Sequence, residues 1–236
     1  MTPNRTFLLM GSGEFEPWSE AVERAALDGA GGHVAVVPTA SSAEGDEVFE
    51  RWGRMGLEHY ASMGLDARVV PIRTREDAER EDLAAELGGA SMVFFSGGKP
   101  QHLAQAIHGT RTWDALSNAL DAGTVYAGCS AGALVASQTR EQRREQGMKT
   151  GWVFGLGLVP RVSFGVHWDK VKVIPGLRSL VMSRIPKGSW FVGLEERTAI
   201  LGDGQRWTVH GVGGAMVRHA GGTEVYHDGQ VFETAG

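Results

Sequence analysis

The sequence predicts an α/β fold, with a mostly parallel sheet covered by helices on both faces and followed by antiparallel strands. Two patterns support this prediction. Up to about residue 130, short apolar runs alternate with amphipathic stretches, which indicates buried parallel strands connected by helices. After about Gly151, the apolar runs are short, alternate with polar residues and are separated by Gly-rich turns, which is typical of antiparallel hairpins.

Five apolar runs in the first half are predicted strands, because each is short and almost continuously apolar. They are residues 7–10, 33–38, 67–72, 91–95 and 124–127. Five stretches between them have the spacing of amphipathic helices: residues 18–27, 46–63, 75–87, 101–107 and 112–120. Ligands of such sheets bind beyond the carboxyl ends of the strands, so the predicted site loops are residues 11–16, 39–45, 96–100 and 128–132.

The second half contains six predicted strands, at residues 190–194, 198–201, 206–209, 215–218, 223–226 and 230–232. We expect them to extend or flank the main sheet. No Pro/Ser-rich or strongly charged linker divides the chain, so residues 1–236 are expected to form a single domain.

The composition is typical of a globular protein and argues against several functional classes. Of the 236 residues, 42% are hydrophobic, and 23 basic against 28 acidic residues give a formal net charge of −5. This balance argues against binding to nucleic acid, which requires a basic surface. No run approaches the roughly 18 apolar residues of a membrane span, and the run at residues 7–10 is too short for a signal peptide. We therefore expect a cytoplasmic protein with no membrane partner.

The most informative motif is Gly-x-Ser-x-Gly at residues 128–132, between a predicted strand and a predicted helix. A serine on such a turn exposes its hydroxyl, and the helix N-terminus directs N–H groups at developing negative charge. Ser130 is thus a candidate nucleophile, and the Ala131 amide is a candidate oxyanion donor. The alternative is a Gly-rich turn with an incidental serine. Cys129, the single cysteine, excludes internal disulfides and a Cys-based zinc cluster.

A serine nucleophile needs a base, and a third group must orient that base. Of the eight histidines, His167 is the best candidate because it ends an extended segment, where the site loops should converge. The alternative, which a lone histidine would favour, is a hydrogen-bonded structural histidine in a loop. The spacing leaves five carboxylates open as the third group: Glu141, Glu145, Asp169, Glu195 and Glu196.

The segment at residues 94–101 is the other predicted part of the site. Its Gly97-Gly98 turn follows a strand and contains neither Gly-x-Gly-x-x-Gly nor the P-loop pattern, so nucleotide binding is not indicated. A bare backbone amide at Gly98 would complete the oxyanion hole begun by Ala131.

Four segments occur in a set order along most of the chain. They are Phe-Phe-Ser-Gly-Gly at 94–98, Gly-Cys-Ser-Ala-Gly-Ala at 128–133, Gly-Leu-Gly-Leu-Val-Pro at 155–160 with the histidine after it, and residues 192–200. The ordered set resembles the family of serine peptidases that contains cyanophycinase and aspartyl dipeptidase. That resemblance implies a fold like that of class I glutamine amidotransferases, with serine in place of their cysteine.

The resemblance also implies a function. It implies hydrolysis of a small peptide or isopeptide through an acyl-enzyme on Ser130, with His167, 37 residues later, as the base. Matching to aspartyl dipeptidase assigns Glu145 as the carboxylate that orients the imidazole. No metal or organic cofactor is implied, and a homodimer is compatible with this prediction.

The segment around the predicted base departs from the family pattern. Cyanophycinases carry an Asp-x-His-Phe-Ser-x-Arg-like stretch, whereas residues 165–170 read Gly-Val-His-Trp-Asp-Lys. We expect the hydrolytic machinery to be kept and the Asp-directed choice of substrate to change. The predicted substrate-binding residues are Gln101, Trp168 and Lys170.

This prediction has three alternatives. An α/β-hydrolase shares Gly-x-Ser-x-Gly, but 37 residues leave too little room for its further βα units before the histidine. An esterase or amidase could use the same residues on a non-peptide acyl group. A non-catalytic or regulatory protein could keep the fold, and the altered residues around His167 motivate that hypothesis.

Overall fold

The computed structural model describes residues 5–137 and 155–234. Within these residues the strands are β1 (Phe7–Met10), β2 (His33–Val37), β3 (Ala67–Val69), β4 (Ala90–Phe95), β5 (Val125–Cys129), β6 (Val162–Gly165), β7 (Trp190–Leu194), β8 (Thr198–Gly202), β9 (Arg206–Gly211), β10 (Ala215–His219), β11 (Gly222–Tyr226) and β12 (Val231–Glu233).

The helices in the same residues are α1 (Glu20–Leu27), α2 (Thr39–Ser42), α3 (Asp46–Ser62), α4 (Arg75–Ala78), α5 (Glu81–Ala85), α6 (Pro100–Ile107), α7 (Arg111–Asp121), α8 (Ala131–Val135), α9 (Trp168–Val173) and α10 (Leu177–Met182). A 3₁₀ turn at Pro17–Ser19 precedes α1.

The main sheet has eight strands in the order β12-β9-β8-β1-β5-β4-β2-β3. Five of them, from β1 to β3 in that order, are parallel, and they coincide with the five strands predicted in the first half. The strands β8, β9 and β12 continue the sheet in antiparallel fashion. The predicted fold class, a mostly parallel sheet followed by antiparallel strands, is therefore confirmed.

A second sheet contains the other four strands, in the order β11-β10-β7-β6. Three of these strands pair antiparallel, as expected, while β6 pairs parallel with β7. The parallel pair brings the end of β6 beside the end of β7. The two segments that follow these strands, residues 166–170 and 195–197, therefore start at the same edge of the second sheet.

The strands have continuously apolar sequences because both faces of the main sheet are buried. Along β1, Phe7 and Leu9 belong to one core cluster, while Leu8 and Met10 belong to another. The first cluster includes side chains from α5, α6, α7 and α8, and the second includes side chains from α1 and α3. Each fully buried Leu or Phe contributes about 1.5–3 kcal/mol, which makes this layered core the main stabilising feature.

The prediction of a single helix at residues 75–87 is wrong in one respect, because the structure divides this segment into α4 and α5. Thr74 and Asp77 form a capping box at the start of α4. Arg80 then adopts extended backbone, with φ −75° and ψ 128°, and α5 begins after it. The apolar spacing runs through both pieces, so the hydrophobic pattern alone does not reveal the break.

Replacing Gly132 with alanine is expected to destabilise the protein by about 3 kcal/mol or more, since overpacking against rigid backbone cannot be relieved by moving a side chain. A Cβ at Gly132, in α8, would lie 2.1 Å from the carbonyl oxygen of Phe95 at the end of β4. The free energy of unfolding is to be measured by urea denaturation followed by circular dichroism.

The matched control is Gly31→Ala, because a Cβ at Gly31 meets no atom of the described residues within 4 Å. That variant is expected to keep the wild-type stability or gain slightly from its less flexible unfolded chain. An unchanged unfolding free energy in Gly132→Ala would contradict the close approach of α8 to β4.

Candidate active site

Ser130 occupies a sharp turn between β5 and α8. Its backbone has φ 48° and ψ −104°, a conformation that costs a non-Gly residue of order 1–3 kcal/mol. The turn is held from both sides: the Ser130 N–H donates to the carbonyl of Met10 at 3.0 Å, and the Ser130 carbonyl accepts from Leu134 at 2.9 Å. The end of β5 packs so closely against α8 that a Cβ at Gly128 would lie 2.5 Å from the backbone of Gly132. This is the geometry that exposes a nucleophilic hydroxyl at the edge of a sheet.

His167 reaches Ser130 from the second sheet. Its Nε2 lies 3.1 Å from the Ser130 Oγ, within hydrogen-bonding distance. His167 follows β6, immediately before α9, and its backbone is left-handed, with φ 49° and ψ 39°. The structure thus brings together the two residues that the sequence analysis singled out as nucleophile and base.

Glu196 completes a chain of three contacts. One of its carboxylate oxygens, Oε1, lies 3.2 Å from the Nδ1 of His167. Glu196 lies in the turn between β7 and β8, and its backbone N–H donates to Asp169 Oδ1 at 3.0 Å. Glu196 was one of five carboxylates that the sequence left open, and the structure brings it into contact with the imidazole.

The other carboxylates have different positions. Glu145, which the family resemblance assigned as the orienting acid, and Glu141 lie outside the described residues. Glu195 accepts a hydrogen bond from the backbone N–H of Gly214 at 3.0 Å. Asp169 holds the backbone of Glu196, as described above. Among the described carboxylates, Glu196 is the one bonded to the imidazole.

Lys170 also binds Glu196, through an ion pair to the same oxygen that faces His167. The hydrogen bond from the Lys170 ammonium is the largest influence on this carboxyl and lowers its pKa. Partial desolvation opposes that effect, and the hydrogen bond from His167 adds to it, so the pKa of Glu196 lies below its ordinary value. Lys170, predicted to bind substrate, contacts Glu196 in the structure and keeps an exposed side chain, so its substrate role stays a prediction.

Two backbone amides near Ser130 have no acceptor among the described residues. Ala131 is fully buried and is the first residue of α8, and its N–H donates to no acceptor of the described residues. Gly98 has φ 138°, a left-handed value that favours glycine, and a Cβ there would lie 2.5 Å from the backbone of Ala40. The next residue, Lys99, donates its N–H to the Ala40 carbonyl at 2.7 Å, which fixes this loop beside α2. Free amides in this position are suited to an oxyanion.

Trp168 was predicted to bind substrate, but in the structure its side chain packs against the second sheet. The residue is 2% exposed, its ring packs tilted against the Phe191 ring with 4.8 Å between the centroids, and its Nε1–H donates to the sulfur of Met216. The ring fits because residue 193 is glycine: a Cβ there would lie 2.7 Å from it. Gln101, the second residue of α6, is half-buried beside the Gly97-Gly98 turn.

Glu14 is a buried carboxylate that the sequence analysis did not single out. It lies in the loop after β1, where Oε1 accepts from the Gly97 N–H at 2.8 Å and Oε2 accepts from the Cys129 thiol at 2.9 Å. Burial, followed by the nearby Glu14 charge, raises the pKa of Cys129 well above its ordinary value, so this thiol stays protonated. A glutamate in a Gly-rich loop at the carboxyl edge of the sheet was the available signal.

In residues 5–137 and 155–234, no group of three or more His, Cys, Asp or Glu side chains could hold a metal ion. None of the helices described above is long and apolar enough to cross a membrane.

Comparison with known proteins identifies the family. The sequence pattern of peptidase family S51 matches residues 7–210, most of the chain, including Ser130, His167 and Glu196. The chain belongs to peptidase family S51. This confirms the resemblance to the cyanophycinase and aspartyl dipeptidase family, and an S51 peptidase is a serine-type peptidase.

Two solved structures are similar to this S51 peptidase. A peptidase from an acI-B1 Actinobacterium has a TM-score of 0.86 and 25% sequence identity, and the match covers 98% of each chain. A putative peptidase E protein from Listeria monocytogenes EGD-e has a TM-score of 0.63 and 17% identity, over 88% of this chain and 98% of that one, and it supports the fold. A search of curated proteins found no match.

In this S51 peptidase, replacing Lys170 with methionine is expected to raise the pKa of Glu196 towards its ordinary value, because the ammonium that lowers it is removed. Since the folded pKa is lowered, the wild-type ion pair stabilises the protein above the ordinary glutamate pKa and is lost as the pH falls through the lowered value. A ¹³C NMR titration of the glutamate side-chain carboxyls measures the shift.

Lys187→Met is the control, because Lys187 is an exposed lysine before β7 for which no ion pair is present among the described residues. It is expected to leave the Glu196 titration unchanged. A Glu196 carboxyl that titrates identically in wild type and Lys170→Met would contradict the shared ion pair.

Proposed function

We propose that this peptidase hydrolyses a small peptide or isopeptide through an acyl-enzyme on Ser130. The observation that carries the proposal is the contact series in which Ser130 Oγ lies 3.1 Å from His167 Nε2, and His167 Nδ1 lies 3.2 Å from Glu196 Oε1. A hydroxyl, an imidazole and a carboxylate in this sequence form the arrangement that activates a serine. The partly exposed His167 and Glu196 leave the site open to a small substrate.

In the acylation step, Ser130 Oγ forms a bond to the carbonyl carbon as its proton moves to His167 Nε2. The carbonyl oxygen becomes an oxyanion, which the amides of Gly98 and Ala131 stabilise by about 3–4 kcal/mol per donor in comparable sites. His167 then gives its proton to the leaving amine as the carbon–nitrogen bond breaks. Water, deprotonated by the same imidazole, then attacks the acyl carbon; as the bond from that carbon to Ser130 Oγ breaks, His167 returns the proton to Oγ and the carboxylic acid product leaves.

We propose Glu196 as the carboxylate that holds the imidazole in this mechanism. Its contact with Nδ1 keeps the proton on that nitrogen, so that Nε2 is free to accept from Ser130. Its lowered pKa keeps it ionised, so that it can stabilise the imidazolium formed during the reaction. Glu145 is the alternative that the family resemblance supplied.

The proposed substrate class is supported by the family and by the peptidase descriptions of the two similar structures. The departures around His167 argue that the side-chain preference differs from the Asp-directed choice of aspartyl dipeptidase. Among the described residues of that segment, Trp168 is buried and Lys170 is paired with Glu196. Gln101, half-buried beside the proposed oxyanion loop, and Lys170, whose side chain is exposed, stay predicted substrate-binding residues.

Replacing Ser130 with alanine is expected to lower kcat/KM on the order of 10⁴-fold or more and to abolish labelling by a fluorophosphonate, because the nucleophile is removed. The assay uses a panel of dipeptides, isopeptides and matched esters. Ser62→Ala is the control, since the Ser62 hydroxyl donates to the His59 carbonyl at the end of α3 and takes no part in the proposed chemistry.

Each alternative function has its own outcome in this assay. Turnover of esters without turnover of any peptide would make the protein an esterase that uses the same residues. A folded wild-type protein that is neither labelled at Ser130 nor active on the panel would support a non-catalytic member of the family.

Glu196→Gln is expected to lower kcat by up to about 10⁴-fold, because the amide can hold the imidazole in the wrong tautomer. Glu145→Gln is the matched comparison and is expected to leave kcat close to the wild-type value. Steady-state kinetics on the best substrate of the panel measures both. The reverse pattern would assign the orienting role to Glu145.

A further inference from the structure

We propose that Glu14 is a positioning residue that holds the Gly97-Gly98 turn in place for oxyanion binding. The inference rests on the proposed function, because it assigns Glu14 a part in the same site. Glu14 touches no reacting atom in this proposal. It acts through the backbone of Gly97 and through Cys129, the residue before the nucleophile.

The first observation is that the Glu14 carboxylate is buried and that each of its two oxygens accepts a hydrogen bond. Glu14 is 6% exposed, and its two oxygens accept from two different segments: the Gly97 N–H in the loop after β4 and the Cys129 thiol at the end of β5. A buried carboxylate is costly unless such donors compensate it. One side chain therefore connects the strand end before Ser130 with the loop that carries Gly98.

The second observation is the small distance between Glu14, Gly97 and Ser130. A Cβ at Gly97 would lie 2.9 Å from Glu14 Oε1, 3.5 Å from Ser130 Cβ and 3.9 Å from Ser130 Oγ. Gly97 thus fills the space between the carboxylate and the nucleophile. A displacement of Gly97 would also displace Gly98, whose amide is the proposed oxyanion donor.

The third observation is that Glu14 lies in a loop that is itself fixed. The Gly11 N–H donates to the Thr198 carbonyl at 2.8 Å, and Ser12 Oγ accepts from the Arg197 N–H at 3.2 Å. After Glu14, the Phe15 ring packs 4.8 Å from the Phe94 ring of β4. The carboxylate is therefore supported on both sides and can transmit its position to Gly97.

The turn at Gly98 is consequently anchored at two points that flank it. Before it, the Gly97 N–H binds Glu14, and after it, the Lys99 N–H binds the Ala40 carbonyl at 2.7 Å. The Gly98 N–H itself has no acceptor among the described residues. Two anchors around one free amide constitute preorganisation, which is the source of the catalytic effect of an oxyanion hole.

Glu23 provides a matched comparison within the same protein. It is also a fully buried carboxylate, on α1, and its Oε2 contacts His59 Nε2 on α3 at 2.6 Å. Its hydrogen bond is thus to α3 and not to the Gly97-Gly98 turn. Loss of Glu23 should cost stability without altering the turn.

The test compares Glu14→Met, Glu14→Gln and Glu23→Met in the full chain. Methionine keeps the volume of Glu14 and removes both acceptor oxygens, whereas glutamine keeps one acceptor oxygen for Gly97 and removes the charge. The first readout is hydrogen exchange of the Gly97 amide by NMR. The sequence has two Ser-Gly bonds, at Ser12 and Ser96, so ¹³C′-serine with ¹⁵N-glycine isolates this amide as one of two signals.

The second readout is the rate at which a fluorophosphonate labels Ser130, which requires no knowledge of the substrate. In Glu14→Met, exchange at Gly97 is expected to accelerate about tenfold, the effect of losing one hydrogen bond. Labelling is expected to slow on the order of 10- to 100-fold, less than the 10²–10³ of losing a donor outright. On a hydrolysed peptide, kcat should fall with KM unchanged, because the oxyanion forms only in the transition state.

Glu14→Gln is expected to restore both readouts to near wild-type values, and Glu23→Met is expected to leave them unchanged per folded molecule. If the fluorophosphonate labels Ser130 in the wild type and in Glu14→Met at the same rate, the positioning role of Glu14 is overturned, and the proposed function is not. If Glu14→Met does not fold, Glu14→Gln serves as the test. Slow labelling of Ser130 together with fast exchange of the Gly97 amide in Glu14→Gln would overturn the argument that an acceptor oxygen at position 14 holds Gly97. A wild-type protein that is never labelled would refute the proposed function, while the exchange measurement would still support or refute the anchoring of Gly97 by Glu14.

Discussion

The site depends on the position of β1 between β5 and β8. Because β1 pairs with both strands, its carbonyl at Met10 can hold Ser130 while the following residue, Gly11, is bonded to Thr198. The turn with Ser130 lies on one side of β1 and the turn with Glu196 lies on the other. A parallel pairing and an antiparallel pairing on the same strand thus bring together groups that are 66 positions apart in the chain.

Both members of the Ser130–His167 pair have backbone conformations that are unfavourable for their residue type. Ser130 has φ 48° and His167 has φ 49°. Such conformations persist only where the surroundings determine them, and here the determinants are the hydrogen bonds of the Ser130 turn and the start of α9. The folding energy of the two sheets, supplied by their buried apolar faces, therefore maintains a geometry that neither residue would adopt alone.

The sequence predicted those features that depend on local pattern or on an ordered set of motifs. The five parallel strands follow from continuous apolar runs, and the turn at Ser130 follows from the spacing of two glycines around a serine. The contact between His167 and Glu196 joins two turns 29 residues apart, and no spacing rule selects one carboxylate for it. The burial of Trp168 depends on the absence of a side chain at Gly193, so neighbouring residues gave no indication of it.

The surroundings of Cys129 also affect how this enzyme responds to chemical reagents. A thiol directly before the proposed nucleophile, Ser130, could lead an experimenter to classify the enzyme by its sensitivity to alkylating agents. In this protein the sulfur is inaccessible, protonated and bonded to Glu14. Alkylating agents such as iodoacetamide should therefore spare the folded enzyme, and resistance to them reflects the shielding of this sulfur rather than the absence of cysteine.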